Sequence, residues 1–144
     1  MTPRQIALVR ETFATIRPAA GAAAMMFYDR LFVVDPSLRH LFRRPQTEQA
    51  EALAGMLAVA VDGLDEIGRL LPALHDLGRR HAAWGVRDED YGTVAAALIW
   101  TLEHGLGTAF TAEAKTAWVA VYGALADAMK AGAYESGAAA RQAA

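Results

Sequence analysis

Leu70-Leu71-Pro72-Ala73-Leu74-His75-Asp76-Leu77-Gly78-Arg79-Arg80-His81 carries Leu70, Leu74, Leu77 and His81 at spacings of four, three and four. That is one stripe of an amphipathic helix, so His81 shares the inward face with three leucines. An imidazole on an apolar stripe needs a partner for each ring nitrogen. One nitrogen can donate to the free backbone carbonyl one turn back, at Leu77. The other must place its lone pair, for which iron is the sharp choice and a side chain or buried water the plain one. An isolated histidine favours the plain choice. The rest of the chain reverses that preference.

Three further segments matter. Met26-Phe27-Tyr28-Asp29-Arg30-Leu31-Phe32 sets Tyr28 on the inner face of an early helix. Asp35-Pro36-Ser37-Leu38-Arg39-His40-Leu41-Phe42 reads as a short helical turn ending in an aromatic, before an irregular Arg43-Arg44-Pro45. Gln49-Ala50-Glu51-Ala52-Leu53 then opens a new helix with Gln49 and Leu53 one turn apart on one face. Tyr28, Phe42, Gln49, Leu53, His81 followed by Gly85-Val86, Tyr91, and Trp118 with Tyr122 stand in one order. In that order the chain resembles a globin, most closely the bacterial single-domain globins related to the haem domain of flavohaemoglobins. The resemblance runs from Ile6 to Met129.

Composition narrows the rest. A length of 144 residues suits one domain with a sizeable core, and 54% apolar residues led by alanine favour packed helices over sheet. A net charge of −2 gives no case for nucleic acid or an anionic membrane. With no cysteine, disulfides, thiolate ligation and covalent C-x-x-C-H haem attachment are excluded. Met1-Thr2-Pro3-Arg4-Gln5 lacks the apolar stretch of a signal peptide, and the apolar run from Ala19 to Tyr28 is too short to span a bilayer. A soluble cytoplasmic protein is expected, either a monomer or a weak homodimer.

The helices follow from periodicity. Thr2-Pro3-Arg4-Gln5 forms a capping box before the stripe Ile6, Val9, Phe13, Ile16. A second helix to Val34 turns Phe27, Leu31 and Val34 inward. The helix from Thr47 buries Leu53, Met56 or Leu57, Ala60 and Leu64. The His81 helix stops at Gly85, suited to a left-handed cap. Asp88-Glu89-Asp90 favours a helix start, and Tyr91, Val94, Leu98 and Leu102 face inward until Gly105 and Gly107 break the helix. Thr111 caps the last helix, with Ala114, Trp118, Val121, Leu125 and Met129 inward. Seven helical segments and no strand predict an all-α fold. The globin resemblance adds helices packed around a haem pocket, with a domain over 1–132 and a flexible tail over 133–144.

The resemblance also implies a site. His81 is the metal ligand of a noncovalent haem b, its other nitrogen held by Leu77. Phe42, Leu53, Val86, Tyr91 and Val94 contact the haem, and Arg80 or Arg43 pairs with a propionate. On the distal side Tyr28 and Gln49, beside Leu53, donate hydrogen bonds to a bound gas at an open sixth position. His40, His75 and His104 read as surface histidines, and Trp84 and Trp100 as covers for helix ends.

Reversible binding of dioxygen, carbon monoxide and nitric oxide is therefore the function expected. The alternative is nitric oxide dioxygenation with an external reductase, since 144 residues leave no room for a fused flavin domain. Flavohaemoglobins pair the proximal histidine with a glutamate in the last helix, and Tyr91 matches the tyrosine of that arrangement. The glutamate's place falls near Ala133, with Glu135 two positions off register, which argues against strong redox chemistry. A third reading, a haem-free helical interaction domain, requires the Tyr28, Gln49 and His81 set to be coincidence.

Overall fold

The computed structural model describes the backbone of residues 1–143, with side chains as far as residue 134. Six α-helices form it: α1 Pro3–Ile16, α2 Ala20–Val34, α3 Gln46–Asp62, α4 Ile67–Ala83, α5 Asp88–Leu106 and α6 Ala112–Ala143. Short 3-10 turns over Arg17–Ala19, Pro36–Leu41, Leu64–Glu66 and Gly107–Ala109 join them, and no strand occurs among the described residues. The all-α expectation holds, with the Pro36–Leu41 turn as its short segment.

Local chemistry sets the ends. Thr2 and Gln5 complete the capping box: the Gln5 amide N–H donates to Thr2 Oγ1 at 3.1 Å and the Thr2 N–H to Gln5 Oε1 at 2.9 Å. Thr111 Oγ1 accepts from the Ala114 N–H at 3.1 Å. At the start of α5, Asp90 is buried and accepts from both the Arg87 N–H and its guanidinium, at 2.8 and 3.0 Å. Gly105 does not break α5. It stays helical where a Cβ would crowd Ile16, and the helix ends at Gly107, whose φ of 56° favours glycine.

The core gathers Val9, Phe13, Leu31, Leu98, Ala117, Trp118 and Val121 from α1, α2, α5 and α6. Leu57, rather than the exposed Met56, packs on it from α3. Val34 corrects the inward stripe of α2. It is 48% exposed, because the helix ends there and the chain turns away at Asp35. One buried polar relay crosses the core: Trp118 Nε1 donates to Thr12 Oγ1 at 2.8 Å, and that hydroxyl donates to the Leu8 carbonyl at 2.7 Å. Thr12→Val leaves the indole N–H unpaired in an apolar setting and should cost about 1–3 kcal/mol in urea unfolding. Thr12→Ser, which keeps the hydroxyl, should recover most of that loss.

α4 is attached in one direction. It packs on α6 and on the Leu64–Glu66 turn, whereas α3 packs on α2 and α1, and α3 and α4 make no substantial contact with each other. The α4–α6 crossing depends on two glycines. A Cβ at Gly78 would overlap the Met129 backbone, and one at Gly132 would overlap the His75 backbone. Gly132, the expected start of a tail, is therefore buried, and His75 is half-buried rather than on the surface. The expected tail over 133–144 falls mostly outside the residues whose side chains are described.

Candidate functional site

His81 lies in the last turn of α4 and is held from two sides. Its Nδ1–H donates to the Leu77 carbonyl at 2.8 Å, one turn back on the same face. Beyond the helix end, Gly85 adopts φ 101°, and the Gly85 and Val86 N–H groups donate to the Ala82 and His81 carbonyls at 3.1 and 3.0 Å. This glycine cap closes the helix on the histidine's own carbonyl. Val86 is thus tied to His81 through the main chain. Ring and backbone are both fixed before any ligand arrives.

With the proton on Nδ1, the Nε2 lone pair is free, and Nε2 has no hydrogen-bond partner among the described residues. Burial lowers the pKa of His81 below the ordinary imidazole value. The Leu77 bond works the other way, and Arg80 adds a smaller lowering. The imidazole is therefore neutral near pH 7, the form a metal needs. Trp84 stands beside it with ring centroids 5.2 Å apart, yet is itself 56% exposed.

α2 and the Pro36–Leu41 turn build a second, aromatic wall. Tyr28 meets Phe42 edge-on at 5.3 Å and Phe27 at 5.0 Å, and it stacks with Phe32 at 6.1 Å. Tyr28 is only 6% exposed, and its hydroxyl has no hydrogen-bond partner among the described residues. It is not sealed in, because it opens on a cavity of about 60 Å³ lined also by Phe32, Arg39, Phe42, Arg44, Gln46 and Gln49. Desolvation pushes the phenol up to about 12, so it remains a neutral donor across the physiological range. Gln49 reaches the cavity from the first turn of α3.

Of the residues expected from sequence, Tyr28, Phe42 and Gln49 are brought together. Leu53 instead lines a separate apolar cavity of about 30 Å³, with Phe27, Leu57, Leu98 and Trp118 among its neighbours. Val94 is half-buried against the core. Arg80 is exposed and paired with Asp76 at 3.2 Å, and Arg43 is exposed. Tyr91 is buried, its carbonyl accepting from the Tyr122 hydroxyl at 2.7 Å, with the Lys130 ammonium 5.3 Å from its ring centroid. Trp118 and Tyr122 thus pin α6 to α1 and to α5. Sequence reasoning missed Arg39, Arg44 and Gln46 as cavity residues. Two of them lie outside regular α-helix, where periodicity gives no facing.

The globin family profile matches residues 25–129. A flavohemoprotein of Bordetella parapertussis is 34% identical over 130 residues, covering 88% of this chain and 32% of that protein. One of Bacillus subtilis is 28% identical over 128 residues, covering 87% and 32%. The chain therefore spans about a third of the length of these relatives. A bacterial globin of Campylobacter jejuni superposes with a TM-score of 0.83 at 20% identity, over 93% of this chain and 97% of that one. An engineered carbene transferase from Rhodothermus marinus, provisionally named a nitric oxide dioxygenase, gives 0.89 at 23% identity over 98% and 99%.

The chain belongs to the globin family, a family that binds haem and small gases. Its residues fit that group. No cluster of three His, Cys, Asp or Glu that could hold a metal ion is found among the described residues, and a single imidazole such as His81 suits a metal that carries further ligands, as haem iron does. His81 offers one free nitrogen, α3 and α4 are not packed together, and Tyr28 and Gln49 offer unpaired polar groups. Among the described residues no helix is long and apolar enough to cross a membrane.

Proposed function

We propose that this chain binds haem b noncovalently through His81 Nε2 and takes up dioxygen, carbon monoxide and nitric oxide reversibly. The observation that carries the reading is the His81 ring itself, with Nδ1 bound to Leu77 and Nε2 free and neutral. When bound, haem supplies a ferrous iron with one position open to a diatomic gas. The protein does the rest. Leu77 fixes the tautomer and ring plane of His81, and the glycine cap fixes its backbone. Tyr28 and Gln49 donate to a polar gas molecule in the cavity, while Phe32 and Phe42 restrict water around it.

Each such hydrogen bond contributes about 1–2 kcal/mol, or roughly 5–30-fold in off-rate. Tyr28→Phe and Gln49→Leu should each speed dioxygen release by about that factor and change carbon monoxide release less, because carbon monoxide is less polar. Stopped-flow release rates decide this. Unchanged dioxygen rates in both variants would show that neither side chain reaches the ligand.

Nitric oxide dioxygenation with electrons from a separate reductase is the second reading. It is supported by the flavohemoprotein relatives and by the name of the Rhodothermus marinus neighbour. The proximal side favours the carrier. Ala133 stands where the resemblance expects a glutamate, and the Lys130 ammonium lies 5.3 Å from the Tyr91 ring centroid. A cation there does not raise the electron donation of the proximal imidazole.

A further inference from the structure

Trp84, Gly85, Val86 and Arg87 join α4 to α5, and the backbone N–H of each is committed. Trp84 and Val86 both donate to the His81 carbonyl, at 3.2 and 3.0 Å, and Gly85 donates to the Ala82 carbonyl at 3.1 Å. Those bonds run from main chain to main chain and need no particular side chain. The fourth is different. The Arg87 N–H donates to Asp90 Oδ2 at 2.8 Å, so one carboxylate closes the corner.

Asp90 is the only buried charged residue among the described residues, its side chain 4% exposed. A carboxylate leaves water only against donors that replace it. Here they come from Arg87, whose N–H meets Oδ2 and whose guanidinium meets Oδ1 at 3.0 Å. The Asp90 N–H in turn donates to the Arg87 carbonyl at 3.0 Å. Negative charge for the start of α5 would not require this burial, because Asp88 and Glu89 supply it from the surface. The guanidinium is 60% exposed and shared with Glu89, so that ion pair is weak. What Asp90 adds is a fixed main chain at Arg87.

That grip reaches His81 within one peptide. Arg87 follows Val86, and Val86 is a donor to the His81 carbonyl. On its other side Asp90 adjoins Tyr91, whose carbonyl is held by the Tyr122 hydroxyl of α6. The corner is thus fastened at both ends. The Trp84 ring beside the imidazole belongs to the same corner.

We propose that Asp90 is a positioning residue for His81. By gripping Arg87 it keeps the corner closed on the His81 carbonyl and holds the imidazole in one attitude toward a bound iron. The inference rests on His81 as the haem ligand proposed above. Asp90 acts through the main chain and touches neither haem nor gas.

The test is the iron–histidine stretching band of the ferrous haem-loaded protein, read by resonance Raman beside amide exchange of the haem-free protein. Asp90→Ala should shift or broaden the band and speed exchange of the Val86 and Arg87 N–H groups at least tenfold. Asp90→Asn keeps an oxygen within reach of the Arg87 N–H and should match the parent in both readouts. Asp90→Glu keeps the charge but carries the carboxylate one methylene away. It should fall between, and it decides the matter if the alanine variant fails to fold. Arg87→Gln loses the guanidinium but keeps the N–H, and should leave the band in place. Thr12→Val, which breaks a bond in the α1–α6 core, is the control for lost stability and should also leave it in place.

An unmoved band in both Asp90→Ala and Asp90→Glu would overturn the proposal. So would a parent-like glutamate variant beside a shifted asparagine variant, since charge rather than the grip on Arg87 would then matter. An equal shift in Thr12→Val would reduce the effect to general stability and overturn it as well. Absence of the band from the unaltered protein would strike the haem reading instead. The hold on the corner is then decided by Val86 exchange, and unchanged exchange in Asp90→Ala would overturn it.

Discussion

His81→Ala protein mixed with haem should lose the native ferrous spectrum and regain it only when imidazole is added. The expected effect is large because the chain offers one imidazole with this preparation. Nδ1 is committed to Leu77, burial disfavours the protonated ring, and no cluster of metal ligands stands among the described residues to take over. His75 cannot substitute, since it lies six residues earlier, where the α4–α6 crossing takes up its backbone. Added imidazole restores a nitrogen ligand without the backbone attachment, so the rescued protein should exchange haem faster than the unaltered one. A native ferrous spectrum in His81→Ala without imidazole would remove His81 from the site.

Gly78→Ala should be the most damaging single-methyl change in the molecule. The added Cβ would overlap the Met129 main chain, which has no rotamer by which to move aside. Overpacking commonly costs about 1–3 kcal/mol, and a clash with backbone rather than with a flexible side chain belongs at or above that upper end. At about 2–4 °C per kcal/mol for a chain near this size, Tm should fall by roughly 6–12 °C. The same variant should bind haem more weakly, because α4 carries His81. Gly92→Ala, at a helical glycine with nothing in the way, should be neutral or mildly stabilising. Thermal melts of the two variants, followed by circular dichroism, make the comparison. A Gly78→Ala protein as stable as the parent would mean that the helices cross at a greater distance.

The helices were legible from their apolar periodicity, and four of the six carry their own end signals: Thr2 for α1, Gly85 for α4, the acidic run before Tyr91 for α5 and Thr111 for α6. The link from His81 to Leu77 was legible because it is local, one turn along one helix. The meeting of Tyr28, Phe42 and Gln49 came from their order along a globin-like chain, not from periodicity, which says nothing about which helices adjoin. Val34 was misread because it is the last residue of α2, where the chain turns away at Asp35 and the stripe has no neighbour to face. Gly78 and Gly132 were invisible as a pair. The need for glycine arises only when two backbones meet across the fold, and a single sequence does not show that meeting. Arg39 and Arg44 belong to the turn and the irregular stretch before α3, where side-chain direction has no sequence rule.

The one-sided attachment of α4 has a consequence for how the protein acquires its cofactor. A helix gripped along one neighbour can swing or unzip while α1, α2, α3, α5 and the first half of α6 keep their shared core. Loading then asks for the displacement of a single element, like a door on one hinge, and not for the unfolding of the domain. Amide exchange would read this as a gradient of protection. α4 should exchange first in haem-free protein and become slow once haem binds His81, and the hinge line should run through Gly78 and Gly132.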